Sequence, residues 1–258
     1  MTLLDIQYIG EWSKAAFSGT TFLTLASIFS FISFIIYAIA SKKDSNSLKI
    51  IGRASYILHF LLILASGILL FILLKNHRYE FAYVWKHNSN DLPLKYIVSG
   101  LWAGQEGSFL LWIFLQGVMG MLLVFTAKKW ESITMSVIAL GQFLLSTMIL
   151  GFNVFGFQLG QSPFLLLRNL EQNLDNEFFL DPNYLSMIAD GNGINPLLEN
   201  YWMVIHPPVI FLGYASTIVP FAFAIGALVK REYHSWLKPA FPSTGFSLMV
   251  LATGILLG

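Results

Sequence analysis

The sequence contains no cysteine, although it runs to 258 residues. Disulfides, thiolate nucleophiles, iron–sulfur ligation and zinc-ribbon sites are thereby excluded, and any metal or cofactor must be held by histidine, carboxylate or methionine. Charge is scarce as well. Asp, Glu, Lys and Arg make up only 11% of residues, where a globular domain has about 25%. The formal net charge is +1, which leaves no basic surplus to neutralise a phosphate backbone and excludes nucleic acid as a partner. Apolar residues fill the composition instead: 56% are hydrophobic, mean hydropathy is +0.67, and 16% are aromatic. The solvent such a chain expects is the lipid bilayer.

A helix rising about 1.5 Å per residue needs about 20 apolar residues to cross the hydrocarbon core. Six such runs occur, near 17–40, 54–74, 101–127, 133–155, 204–229 and 240–258. The expected fold is therefore all-α, a polytopic integral membrane protein with about six transmembrane helices. The first run is too long, too late and too strongly flanked for a cleaved signal peptide, so it should remain in the mature protein.

Basic residues are retained on the cytoplasmic side of a membrane. One set of termini and loops holds nine: Lys42, Lys43, Lys49, Arg53, Lys128, Lys129, Lys230, Arg231 and Lys238, with three acids. The other holds six basic residues against eleven acids. The first set is expected in the cytoplasm. Both termini and the long loops at about 75–100 and 156–203 then face outward, from what should be a bacterial inner membrane. These outer segments carry Tyr79, Phe81, Tyr83, Trp85, Trp102, Tyr201 and Trp202. Interfacial belts account for single rings of this kind, and their clustering on one side points to something further.

Histidine is the natural place to look for chemistry. His77 and His87 lie among cationic neighbours in an outer loop and His234 in a cytoplasmic turn, so all three read as solvated. His59 falls inside the second run, where an ionisable side chain by default suggests function. It lies about one turn from the cytoplasmic edge of that run, and a neutral imidazole bonded to a neighbouring helix is the reading preferred there. His206 is followed by Pro207 and Pro208, which read as a rigid helix start, and the residue before a proline is pushed into extended backbone. An imidazole fixed there, beside Tyr201 and Trp202, suits either axial ligation of a haem iron or capping of an interfacial helix.

The segment Leu101–Trp112 reads LWAGQEGSFLLW. Gly104, Gly107 and Ser108 leave a stretch without bulk, open to a neighbouring helix or a flat ligand. Glu106 is favourably placed at a helix start and proves nothing by its charge. Gly191 to Pro196 lacks the third glycine of a dinucleotide fingerprint and reads as a turn.

Taken in order, four blocks resemble the N-terminal part of the CcmF-type cytochrome c biogenesis family, in the haem-handling superfamily that includes CcsA and CcmC. They are Phe81-Ala82-Tyr83-Val84 with Leu92-Pro93; Trp102 through Trp112; Gly193-Ile194-Asn195-Pro196-Leu197-Leu198; and Val204-Ile205-His206-Pro207-Pro208 through Gly213-Tyr214 to Ile225. The resemblance covers about residues 80–258, which implies an N-terminal helix pair at 1–79 and a haem-handling region at 80–258. It further implies that His206 is an axial ligand to haem b on the outer face. Trp102, Glu106, Trp112, Trp202 and Tyr214 would be the surroundings of that haem. The function implied is haem binding and delivery to apocytochrome c, as a component of a membrane haem lyase and not as an independent catalyst. The partners implied are a haem-supplying protein, apocytochrome c, and a C-terminal remainder carrying a tryptophan-rich segment before which this sequence stops, as a split protein or an incomplete sequence. Gln105 departs from the histidine that many members carry there. The alternatives from other classes are a transporter or ion-translocating subunit and a structural membrane scaffold.

Overall fold

The computed structural model describes residues 7–154 and 157–258. Its helices are α1 (Ser13–Lys43), α2 (Asn46–Lys75), α3 (Ala82–His87), α4 (Leu94–Ser99), α5 (Gln105–Thr126), α6 (Glu131–Thr147), α7 (Tyr201–Lys230) and α8 (Leu237–Leu257). Five of them, α1, α2, α5, α7 and α8, are long and apolar enough to cross a membrane. The all-α, multi-pass expectation thus holds, with one change. The fourth apolar run forms a helix of only 17 residues, α6, about 25 Å long. Beyond Thr147 the chain turns at Gly151, whose φ is +67°, and runs into a small antiparallel hairpin of β1 (Phe152–Val154) and β2 (Phe157–Leu159). Hydropathy cannot see that break, because strand and helix residues here are equally apolar.

Helix α1 shows how a membrane helix packs without a hydrophobic drive between helices. Beside Ser27, its buried positions are Gly19, Leu23, Ala26, Ser30, Ser33, Tyr37 and Ala40. They alternate by three and four, so a mostly small-residue stripe faces α2 and α6. The Ser33 hydroxyl donates to the Gly52 carbonyl across that seam at 3.1 Å. At the basic end, the buried Glu131 carboxylate accepts bonds from the Arg53 Nε and Nη2 at 2.7 and 2.6 Å and from the Tyr37 hydroxyl at 3.1 Å. One carboxylate thereby ties α1, α2 and α6 together. Helix α7 packs on α5, α6 and α8.

Opposite the basic end, the connectors fold into a cap. Tyr79, Phe81 and Tyr83 are buried in it with Phe164 and Leu166, so these rings form a core and not an interfacial belt. Trp85, Tyr201 and Trp202 remain exposed. The segment before α1 is clasped to the cap by Glu11, whose side chain is fully buried. It accepts two bonds from the Arg168 guanidinium, at 2.9 and 3.1 Å, and one from the Tyr184 hydroxyl at 3.2 Å. Removing one member of a buried pair typically costs 3–5 kcal/mol; because Arg168 is partly hydrated, about 3 kcal/mol is expected for Glu11→Ala. Limited proteolysis should then cut the 160–200 connector earlier than in the unaltered protein, and an unchanged cleavage rate would contradict the clasp.

Candidate functional site

The site begins with a helix start that differs from the sequence expectation. Helix α7 opens at Tyr201, capped by the Asn200 side chain, which accepts the Met203 N–H at 3.1 Å. His206, Pro207 and Pro208 are therefore inside the helix, and the extended conformation expected before Pro207 is not adopted. A proline within a helix frees the carbonyl four residues earlier. For Pro207 that carbonyl belongs to Met203, and the Trp102 indole N–H donates to it at 3.1 Å. The proline pair thus docks the Trp102 turn onto α7.

Close helix packing places the other wall. A Cβ on Gly213 would lie 2.9 Å from the Leu251 Cα, and one on Gly254 would lie 2.8 Å from the Ile210 Cα. The backbones of α7 and α8 meet through these two glycines. The Gly254 carbonyl reaches the His206 Nδ1 at 2.9 Å. A carbonyl only accepts, so Nδ1 carries the proton and Nε2 is left as the bare nitrogen of the neutral ring.

His206, Trp102, Ser108, Phe211 and Tyr214 line one cleft of about 630 Å³. Trp112 stands behind it, with its ring 5.5 Å from Tyr214 and 6.0 Å from Phe211. Four of the six residues singled out from the sequence thus come together. Trp202 instead projects outward against Tyr201 at 5.8 Å, and Glu106 is half-buried; neither lines the cleft. Ser108, whose hydroxyl donates to the Trp102 carbonyl, belongs to the stretch read as open to a flat ligand, whereas Phe211 was not anticipated as a lining residue. The i−4 rule at Pro207 is the one sequence signal that could have found the Trp102 link. On its other side, Trp102 helps close an apolar groove of about 330 Å³ between α2 and α5.

Gly104 and Gly107 do admit a close neighbour, but it is the cap. The Tyr83 hydroxyl donates to the Gly100 carbonyl at 2.8 Å and accepts the Gly104 N–H at 3.2 Å. The His87 ring lies 4.7 Å from Tyr83, and a Cβ on Gly104 would press on its Nε2. His87 is therefore not a solvated residue. His77 is half-buried as well, with its Nδ1 3.2 Å from the Tyr79 hydroxyl. His234 is exposed, as expected. Burial, helped by Lys86, pushes the His87 pKa from 6.5 down to about 4. Between those values the unfolded chain binds the proton that the folded chain refuses, so stability is complete above pH 6.5 and falls as the pH drops toward 4. The expected loss is roughly 2 kcal/mol after solvent screening. Unfolding midpoints measured from pH 7 to 4 should show this slope, and His87→Asn should flatten it.

The profile described as Cytochrome C assembly protein matches residues 102–258, which include the whole cleft. The cytochrome c-type biogenesis protein CycK of Bradyrhizobium diazoefficiens is 27% identical over 243 residues, covering 93% of this chain and 34% of the relative. The cytochrome c-type biogenesis protein CcmF of Pseudomonas fluorescens is 32% identical over 183 residues, covering 70% of this chain and 24% of the relative. This chain therefore matches about a third or less of the length of these relatives. A solved structure described as Cytochrome c Heme Lyase CcmF superposes with a TM-score of 0.68 at 22% identity, covering 93% of this chain and 35% of that one, a likeness of fold.

Proposed function

Because this chain belongs to the family of cytochrome C assembly proteins, we propose that it supplies one wall of a haem site used in cytochrome c maturation, with His206 as an axial ligand to the iron. The observation that carries this reading is the His206 imidazole, held through Nδ1 by the Gly254 carbonyl and set in the wall of a cleft. An orienting bond on one ring nitrogen is the usual companion of metal ligation by the other. The donor set and the space suit the group. The cleft lies within the roughly 300–1,000 Å³ of small-molecule and cofactor sites, and its rings offer flat apolar contact.

Each residue then has a part. His206 presents Nε2. Trp102, Phe211 and Tyr214 provide apolar surface, and Trp112 stiffens Tyr214 from behind. Bound haem b would supply the vinyl groups to which the thiols of apocytochrome c add. The partners are a haem-supplying protein, apocytochrome c, and a further portion of the assembly that closes the open side of the cleft. The lysine and arginine asymmetry supports an orientation with the cleft on the outer face of a bacterial inner membrane. The test is the haem absorbance of the purified intact assembly, unaltered against His206→Ala, read together with cytochrome c maturation in the cell. Loss of both is expected. Retention of both would overturn the proposal.

A further inference from the structure

Away from the cleft, the membrane helices enclose a polar cluster that haem handling does not use. Helix α2 starts at Asn46, so His59 lies about 20 Å along it. The His59 Nδ1 is 2.8 Å from the Ala26 carbonyl of α1. As at His206, that bond puts the proton on Nδ1 and leaves Nε2 bare. Here Nε2 is completely buried and has no hydrogen-bond partner among the described residues. The same holds for the Tyr56 hydroxyl, the Gln116 amide nitrogen and the Gln142 amide oxygen. All four side chains are at least 98% buried. Gln142 approaches both Tyr56 and His59 without reaching hydrogen-bond geometry with either, and its own orientation is fixed because its nitrogen donates to the Ile113 carbonyl at 3.0 Å.

The helices make room for these groups. A Cβ on Gly120 would fall on the Tyr56 hydroxyl, one on Gly117 would stand 3.5 Å from the Gln142 nitrogen, and one on Gly141 would stand 2.9 Å from the Gln116 nitrogen. Three of the polar heads thus face a glycine of α5 or α6. An unpaired polar group buried among apolar helices is strongly unfavourable, and apolar residues would have packed the same space without that penalty.

We propose that Tyr56, His59, Gln116 and Gln142 form a buried hydration site in which internal water bridges α2, α5 and α6. The unpartnered atoms select the ligand. The His59 Nε2 and the Gln142 oxygen need a donor, the Gln116 nitrogen needs an acceptor, and the Tyr56 hydroxyl needs either. Water supplies both roles, and buried waters typically make about three such bonds. A metal cation would find a single histidine in the cluster, and no group of three His, Cys, Asp or Glu able to hold one converges among the described residues. An anion would find no positive charge in the cluster.

The measurement is solid-state NMR of the intact assembly in lipid bilayers with 15N-labelled histidine, following magnetisation transfer from water protons to the His59 ring. The His59 resonance is assigned by its disappearance in His59→Phe. Rapid transfer to His59 is expected, and its loss in Tyr56→Phe, because the bridging water loses a partner. For the same reason Tyr56→Phe should lower the unfolding midpoint. A dry His59 resonance would overturn the proposal, as direct contact between the four side chains would produce. So would a Tyr56→Phe variant that is as stable as the unaltered protein or more stable, since deleting a truly orphaned hydroxyl relieves a penalty.

Discussion

In the His206→Ala variant of the intact assembly, haem absorbance from the cleft should vanish and then return when imidazole is added to the solution. Truncation at Cβ removes the ring but leaves the Gly254 carbonyl, which accepts the Nδ1–H in the unaltered protein. Added imidazole fits the resulting cavity, donates to the same carbonyl and presents its second nitrogen. Neither Pro207 nor the Trp102 to Met203 bond involves the His206 side chain, so the walls of the cleft should persist. Alanine is also a good helix residue, which keeps α7 intact. Recovery of the spectrum would separate ligation from a general folding defect. If absorbance is lost and imidazole does not restore it, while the variant folds normally, the ring is not the ligand and its bond to Gly254 is a helix clamp.

The second large effect is expected at Gly107, the third residue of α5. A methyl there would stand 2.1 Å from the Leu101 carbonyl oxygen and 2.1 Å from the Tyr83 hydroxyl. Overpacking usually costs 1–3 kcal/mol, and because a backbone atom is one of the two obstacles, about 3 kcal/mol is expected for Gly107→Ala. The double variant Gly107→Ala, Tyr83→Phe tests the cause. It clears the hydroxyl and leaves the Leu101 carbonyl in place, so the unfolding midpoint should stay low. Full rescue by Tyr83→Phe would show that the carbonyl yields and the backbone is not the limit. A stability like that of the unaltered protein in Gly107→Ala would show that the turn at 100–104 moves freely and does not hold Trp102 at the cleft.

These two positions show unequal legibility. His206 could be singled out in sequence, because an imidazole beside two prolines and aromatic rings at a membrane boundary is an uncommon setting. Its local backbone was misread. Proline is tolerated at a helix start, and that preference hid the stronger cap six residues upstream of His206, where Asn200 satisfies the Met203 N–H. Gly107 was recognisable as a place of close approach, but not the neighbour that approaches. Tyr83 arrives from another element, and only the folded cap brings the two together. His87 followed the same pattern: charged neighbours in sequence suggested water, whereas its spatial neighbours are Tyr83 and Gly104.

By itself the sequence determined the solvent, the helical class and the chemistry on offer. Those properties are sums over neighbours along the chain: a long apolar run must satisfy its backbone internally in lipid, and a cysteine-free chain offers histidine as its softest strong ligand. Tertiary structure alone decided where α6 ends, that α7 and α8 touch through Gly213 and Gly254, that Trp102 and Tyr214 share a wall with His206 while Trp202 and Glu106 do not, and that His59 meets Tyr56 and Gln142. Each of these depends on contacts between residues distant in sequence. Their geometry is set by side-chain volume and by which carbonyl a partner leaves free, and no local pattern encodes either.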